Sequence, residues 1–178
     1  MFLCRRAAVA LVWCLSATAS VTLAAQQALK PVGDEWAQEL SFSLDNLAGE
    51  KRALEDFAGK VLLVNFWATW CRPCVKELPS IEEVKDRLGS DVFDVVAINV
   101  GEDRGQIEEF LSKRLGGPLA LEVLLDENLV AAKSWKVRAV PTTYIVDKKG
   151  KIKFVATGEA DFSHEDVVKT IQSLIVID

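Results

Sequence analysis

Histidine and methionine are scarce in this 178-residue chain, which has one of each, His164 and Met1. A metal site built from several histidines is therefore excluded. Basic runs are scarce too, since no cluster of lysine and arginine exceeds two residues and the formal net charge is −5. This balance argues against nucleic acid as the main partner. The composition, with 50% hydrophobic and 26% charged residues, is that of a globular protein, and a length of 178 residues fits one domain.

The N-terminal segment, residues 1–25, has the pattern of a secretion signal. Arg5 and Arg6 give it a positively charged start, and residues 7–25 are uncharged and end in small side chains. We expect export and cleavage near residue 25, so that the mature protein is periplasmic or otherwise extracytoplasmic. The alternative is an uncleaved anchor in the inner membrane, because the 19 uncharged residues 7–25 are just long enough to span a bilayer.

Export reduces the four cysteines to one pair. Cys4 and Cys14 lie in the signal segment, and only Cys71 and Cys74 remain in the mature chain. A disulfide across so short a loop removes little chain entropy from the unfolded state. Redox chemistry therefore explains this pair better than structural stabilisation does.

Hydrophobic periodicity places an α/β domain over residues 37–178, after a polar linker or extended arm over residues 26–36. The pattern predicts a mixed central sheet with helices on both faces and an N-terminal β-hairpin that turns at residues 45–49. The predicted strands cover residues 40–44, 51–54, 61–67, 94–100, 121–125, 140–147 and 151–155. The predicted helices cover residues 73–88, 103–115 and 128–135, and a last helix starts at Ser163. Two capping pairs are predicted, Asp103 with Gln106 and Ser163 with Asp166.

Cys71 and Cys74 lie where the buried strand 61–67 ends and a helix begins. A helix N-terminus carries unpaired N–H groups and a partial positive charge, which favour a thiolate over a thiol. Because the thiolate is the reactive form of cysteine, this position predicts a dithiol–disulfide redox site. Cys71 is the expected nucleophile, with the positive charge of Arg72 beside it, and Cys74 lies on the same helix face within reach of a disulfide. Pro73 suits the first helical turn, where it wastes no backbone donor.

Two motifs in the sequence carry a family resemblance. The stretch FWATWCRPC, which ends at Cys74, resembles the active-site signature of the thioredoxin superfamily, and Val140-Pro141-Thr142 resembles its cis-proline segment. The segments CVKELP and PTTYIVDKKG are similar to the TlpA/ResA/CcmG-like branch of exported thiol-disulfide oxidoreductases. This resemblance implies a thioredoxin-like sandwich with an N-terminal hairpin and a central insertion at roughly residues 102–125.

The resemblance also implies roles for individual residues. Cys71 and Cys74 form the redox pair, and Glu77 is the proton acceptor that activates Cys74. No cofactor or metal is implied beyond the redox-active disulfide. The implied substrate-binding surface consists of Trp70, Arg72, Pro73, Val140 and Pro141.

One position departs from the thioredoxin pattern. Thioredoxins proper carry a buried Asp where this chain has Asn65, and that Asp assists proton transfer. Asn cannot titrate, so the role is vacant here or has moved to another residue. Glu77 is the candidate, since it follows Cys74 by one helical turn.

The leading hypothesis is an exported, monomeric protein disulfide reductase with specific clients. By resemblance, the clients are apocytochrome c or metallochaperone thiols of cytochrome oxidase assembly, and a membrane thiol carrier of the DsbD/CcdA type supplies electrons. An oxidase or isomerase is the alternative in the same class, although strong oxidases carry His where Pro73 stands. A peroxidase of the peroxiredoxin kind carries Thr or Ser three residues before its cysteine, where this chain has Ala68. A Cu(I)-binding protein that uses Cys71 and Cys74 as ligands is the alternative from a different class.

Overall fold

The computed structural model describes residues 29–33 and 40–176, and the predicted signal segment, residues 1–25, lies outside them. The strands are β1 (Lys30–Pro31), β2 (Ser43–Asn46), β3 (Lys51–Ala53), β4 (Val61–Trp67), β5 (Phe93–Val100), β6 (Glu122–Asp126), β7 (Thr142–Val146) and β8 (Ile152–Thr157). The helices are α1 (Arg72–Leu88), α2 (Arg104–Phe110), α3 (Val130–Ser134) and α4 (Glu165–Val176), with a 3-10 turn at Leu54–Phe57 and a π-helical turn at Leu111–Leu115. The strands form one sheet in the order β1-β8-β7-β4-β5-β6-β2-β3, which confirms the predicted mixed α/β architecture.

The centre of the sheet is β4, whose seven residues are all buried. The predicted strand at residues 61–67 is therefore confirmed with the same bounds. β4 runs parallel to β5, and β5 runs parallel to β6, whereas β7 is antiparallel to β4 on its other side. The carboxyl ends of β4, β5 and β6 consequently meet at one edge of the sheet, and the chain enters α1 from this edge.

The N-terminal β-hairpin is confirmed as the antiparallel pair β2–β3, but its first strand lies further along the chain than predicted. The sequence predicts a strand over residues 40–44 and a turn over residues 45–49. In the structure β2 ends at Asn46, because its last two residues pair with β6. The Asn46 side chain accepts hydrogen bonds from the backbone N–H groups of Ala48 and Glu50, both at 2.9 Å, so the turn begins after it.

A short strand forms inside the segment predicted as a linker or extended arm. Lys30 and Pro31 pair antiparallel with Val155 and Phe154 of β8. The backbone N–H of Val32 also donates to the carbonyl of Lys153 at 3.0 Å. This part of the arm therefore extends the sheet at its β8 edge.

The two predicted helix caps have different outcomes. The capping box at α2 is confirmed, since Asp103 and Gln106 each accept a hydrogen bond from the other's backbone N–H at 2.9 Å. The prediction that Ser163 and Asp166 cap the last helix is wrong. The backbone N–H of Asp166 donates to His164 Nδ1 at 3.4 Å instead, and the Ser163 hydroxyl donates to the Asp161 carboxylate at 2.7 Å. α4 begins at Glu165, two residues after Ser163.

Trp135 fills the core beside the segment that leads into the hairpin. Its fully buried ring packs against Phe42, Phe66 and Tyr144, with ring centroids 6.1, 5.7 and 5.4 Å away. Its Nε1 donates to the carbonyl of Ser41 at 3.1 Å, and its carbonyl accepts from the Tyr144 hydroxyl at 2.7 Å. These contacts join the N-terminal part of the domain to the centre of the sheet.

Candidate active site at the Cys71–Cys74 disulfide

Cys71 lies at the junction of β4 and α1, as predicted. It is the N-cap residue of α1, and its Sγ accepts a hydrogen bond from the backbone N–H of Cys74 at 3.3 Å. Pro73 lies in the first turn, where backbone N–H groups have no partner within the helix. The Cys71 sulfur therefore occupies the position at which a helix stabilises negative charge.

Cys71 and Cys74 form a disulfide, with Cα atoms 5.3 Å apart. Cys74 is fully buried and Cys71 is 5% exposed, so a partner reaches the bond from the Cys71 side. Trp70 is 70% exposed, and Arg72 and Pro73 are exposed as well. These three neighbours form accessible surface next to the disulfide, as a substrate-binding surface requires.

The peptide bond between Val140 and Pro141 is cis, which confirms the geometry that the family resemblance implies. Pro141 directly precedes β7, and β7 places Thr142 opposite Phe66 of β4. Because Phe66 is the penultimate residue of β4, Pro141 lies at the edge of the sheet where the segment that carries Cys71 begins. The predicted redox pair and the predicted docking residues thus share one edge of the molecule.

Glu77 is a carboxylic acid in the interior, 2% exposed. Its Oε1 accepts a hydrogen bond from Asn65 Nδ2 at 2.8 Å, and its Oε2 accepts one from the backbone N–H of Ala160 at 3.1 Å. The pKa of Glu77 is raised from 4.5 to about 7, chiefly because burial disfavours the charged form. The hydrogen bonds from Ala160 and Asn65 oppose this rise, and repulsion by Glu159 adds to it. A group with a pKa near neutrality suits the acceptance and return of a proton at physiological pH.

Asn65 connects this acid to the neighbouring strand. Its Nδ2 also donates to Thr143 Oγ1 at 2.8 Å, so the amide bridges α1 and β7. Its Oδ1 is buried and has no hydrogen-bond partner among the described residues. The position at which thioredoxins carry an acid therefore serves here as a hydrogen-bond donor to an acid on the adjacent helix.

Sequence reasoning does not find three further contributors to this region: Thr143, Ala160 and Glu102. Glu102 is 6% exposed and holds Thr69 in the segment before Cys71. Polar residues inside otherwise apolar buried strands are a usable signal, and Thr143 carries that signal. Ala160 contributes only a backbone N–H, which no side-chain pattern reveals.

Neither a multi-residue metal cluster nor a membrane-spanning helix is found within residues 29–33 and 40–176. In this part of the chain no group of three or more His, Cys, Asp or Glu side chains is arranged to hold a metal ion. No helix there is long and apolar enough to cross a membrane.

Comparison with known proteins agrees with the geometry. A family model described as the AhpC/TSA family matches residues 33–155. The chain belongs to this family. This AhpC/TSA member is 33% identical over 133 residues to the thiol-disulfide oxidoreductase ResA of Geobacillus thermodenitrificans. The aligned stretch covers 75% of this chain and 74% of that protein. It is also 38% identical over 133 residues to the thioredoxin-like protein YneN of Bacillus subtilis, covering 72% of this chain and 75% of the relative.

Solved structures give the same result for the fold. The AhpC/TSA member superposes with a TM-score of 0.69 on the crystal structure of a proposed thiol:disulfide interchange protein DsbE from Chlorobium tepidum. The two share 25% sequence identity over 78% of this chain and 95% of the other. The thioredoxin-like fold and the resemblance to ResA-like proteins are therefore confirmed. The protein is a thiol-disulfide oxidoreductase of the ResA/DsbE type.

Proposed function

We propose that this oxidoreductase is exported and reduces disulfides in specific client proteins. The observation that carries the proposal is the pairing of an N-cap disulfide with a buried acid one turn later on the same helix. Cys71 offers the accessible sulfur, Cys74 is fully buried behind it, and Glu77 follows with a pKa of about 7. Ala68, where a peroxiredoxin carries Thr or Ser, argues against a peroxidase.

In the proposed reaction the Cys71 thiolate attacks one sulfur of a client disulfide. A bond forms between Cys71 and the client, and the other client sulfur leaves as a thiolate that takes up a proton. Cys74 then loses its proton to the Glu77 carboxylate and attacks the Cys71 sulfur. The bond to the client breaks, the second client sulfur is protonated, and the client leaves with two thiols. The client gains two electrons and the protein ends as the Cys71–Cys74 disulfide.

The docking of the client follows from the cis-proline. An extended client strand that pairs with the backbone of Val140 is held at the sheet edge where Cys71 lies. Trp70 provides apolar contact area beside the sulfur, and Arg72 favours the attacking thiolate by its positive charge. Pro73 has no backbone N–H, so it adds no competing hydrogen-bond donor in the first helical turn.

The cellular role is proposed from the family resemblance. A signal over residues 1–25, or an anchor over residues 7–25, places the domain outside the cytoplasm. Apocytochrome c or metallochaperone thiols of oxidase assembly are the proposed clients. A membrane dithiol carrier of the DsbD/CcdA type returns the Cys71–Cys74 disulfide to the dithiol by donating two electrons. The protein acts as a monomer without another cofactor.

The test is a trapping experiment in the organism that carries the protein. A Cys74→Ser variant cannot resolve the mixed disulfide, so clients stay bound to Cys71 and are identified by mass spectrometry after non-reducing purification. The matched control is the Cys71→Ser, Cys74→Ser double variant, which has no nucleophile. We expect exported proteins with cysteine pairs in the first sample only. Identical recoveries from both variants, with copper copurifying with the native protein, would instead favour the Cu(I)-binding alternative.

A further inference from the structure

Glu102 is a second buried acid near the disulfide, and the redox mechanism above does not use it. It follows β5 by two residues, after Gly101 turns the chain with a φ of +75°. β4 and β5 are paired in parallel with Trp67 opposite Asn99, so the residues that follow the two strands lie side by side. This placement brings Glu102 against the segment that connects β4 to Cys71.

Three hydrogen bonds fix the Glu102 carboxylate there. Oε2 accepts from the Thr69 backbone N–H at 2.7 Å and from Asn99 Nδ2 at 2.9 Å. Oε1 accepts from the Thr69 hydroxyl at 2.5 Å. The Thr69 backbone N–H and the Asn99 amide nitrogen can only donate, and the Glu102 oxygen accepts from both. Charge-assisted bonds of this kind are stronger than neutral ones, so Thr69 is firmly held.

Because Glu102 fixes Thr69, it also restrains the backbone that carries the reactive sulfur of Cys71. Thr69 precedes Cys71 by two residues, so their Cα atoms are at most about 7 Å apart. The Cys71 N–H also donates to the carbonyl of Ala68 at 3.1 Å, which makes the segment from Ala68 to Cys71 a closed turn. A carboxylate bonded to both the N–H and the hydroxyl of Thr69 therefore orients this whole turn.

We propose that Glu102 is a positioning residue for the redox reaction: it holds the turn that carries Cys71 against Cys74, and its negative charge opposes the Cys71 thiolate. Both effects favour the disulfide over the dithiol, which makes the dithiol a stronger reductant. The inference rests on the proposed reductase function and explains how the site is biased in that direction. The charges that act in the opposite sense are those of the α1 N-terminus and of Arg72, which is solvent-exposed. Glu77, where ionised, adds to the effect of Glu102.

The first test compares the full chain with its Glu102→Gln variant, in which shape is kept and charge is lost. The reactivity of Cys71 toward iodoacetamide is followed against pH by peptide mass spectrometry, which separates Cys71 from the other three cysteines. We expect the pKa of the Cys71 thiol to fall by about 0.5 to 1, because a like charge has been removed. We also expect the equilibrium constant for oxidation of the dithiol by glutathione disulfide, measured at pH 8, to fall at least threefold.

A Thr69→Val variant separates the positioning effect of Glu102 from the effect of its negative charge. It removes the hydroxyl donor and keeps the carboxylate, so we expect the equilibrium constant to fall while the pKa of Cys71 stays near the native value. This variant also tests the proposal if the Glu102→Gln protein does not fold. Native values of the equilibrium constant in Thr69→Val would overturn the positioning role, and a native Cys71 pKa in folded Glu102→Gln would overturn the electrostatic one.

Asp126 provides the matched control. It is 1% exposed, ends the next parallel strand β6, and accepts hydrogen bonds from the backbone N–H groups of Ala131 and Ala132 at 3.1 and 2.7 Å. Its carboxylate lies one strand further from Cys71, so Asp126→Asn should leave the Cys71 pKa unchanged. An equal shift in both variants would show a general loss of structure and contradict the proposal. The role of Glu102 is tested by differences between variants, whereas the reductase proposal depends on the absolute reduction potential of the native protein. Either proposal can therefore fail while the other stands.

Discussion

The side-chain amide of Asn65 donates a hydrogen bond to Glu77 Oε1 at 2.8 Å, at a depth where Asn65 is fully buried and Glu77 is 2% exposed. A neutral donor in this place orients the acid without competing for its proton. The bond also favours the ionised form and so opposes the effect of burial on the Glu77 pKa, which remains at about 7. The Asn65–Glu77 pair therefore sets the protonation state that the proposed reaction needs.

Replacing this donor by an acid should change the titration of the whole site. In Asn65→Asp two buried carboxyl groups lie within hydrogen-bond distance and share a proton, since both cannot be ionised at small cost. We expect two apparent pKa values, one of them above the value of about 7 for native Glu77. Titration of the side-chain carboxyl carbons by NMR measures both. The control Asn65→Leu removes the donor without adding a charge, and it should show a single, raised pKa for Glu77. A single titration with an unshifted pKa in both variants would contradict the interaction between residue 65 and Glu77.

Burial of Glu77 should also make stability depend on pH. Between pH 4.5 and about 7 the carboxyl ionises in the unfolded chain and stays protonated in the folded protein, so stability falls as pH rises through this window. The loss amounts to about 3 kcal/mol and is complete above pH 8. Urea unfolding of the oxidised protein at pH 4.5, 5.5, 7 and 8 measures it. We expect Glu77→Gln to remove this loss; parallel stability curves for the two proteins would show that the Glu77 pKa is not raised.

A surface ion pair near this acid gives a smaller effect. Lys76 and Glu159 pair at 2.5 Å where both side chains are solvent-accessible, and the negative charge of Glu159 raises the Glu77 pKa. Glu159→Gln should therefore lower the Glu77 pKa by a few tenths, a small change because solvent and salt screen exposed charges. The same carboxyl titration measures it. Glu165→Gln, which breaks the comparable pair with Arg87, should leave the Glu77 pKa unchanged, and equal shifts in both variants would contradict the assignment.

Local pattern predicts those parts of the molecule that local interactions determine. The strand Val61–Trp67 follows from a continuous apolar run, and the Asp103–Gln106 cap follows from residues three apart. The bounds of β2 do not follow, because its last residues are held by β6, a strand almost eighty residues away. Pairing between distant strands is decided by the assembled sheet, which no local window contains.

The same division applies to the site. The redox pair and the position of Glu77 follow from a motif within one helix, and the cis bond before Pro141 follows from the family resemblance. The partners that set the Glu77 pKa do not, since Asn65 lies 12 residues away from Glu77 in the chain and Ala160 lies 83 residues away. Their contribution depends on burial and on the direction of individual N–H groups, which only the folded backbone defines.

The aromatic core around Trp135 should dominate the stability of the N-terminal part of the domain. Trp135→Ala removes a fully buried ring and its hydrogen bond to Ser41, and we expect a loss of about 3–5 kcal/mol in the free energy of unfolding. Urea unfolding of the oxidised protein measures this. The matched control is Trp70→Ala, since Trp70 is 70% exposed and its removal should change stability by about 0.5 kcal/mol or less. Similar losses in both variants would mean that the buried aromatic cluster contributes no more to the free energy of unfolding than an exposed ring does.

The central claim is that the Cys71–Cys74 pair works as a reductant, and its reduction potential tests this most directly. Equilibration of the protein with mixtures of reduced and oxidised glutathione at pH 7, followed by quantification of the Cys71–Cys74 disulfide, gives the value. We expect a potential of about −250 mV or lower, in the range of thioredoxin-like reductants. A potential near about −120 mV, the value of a strong disulfide oxidant, would contradict the claim.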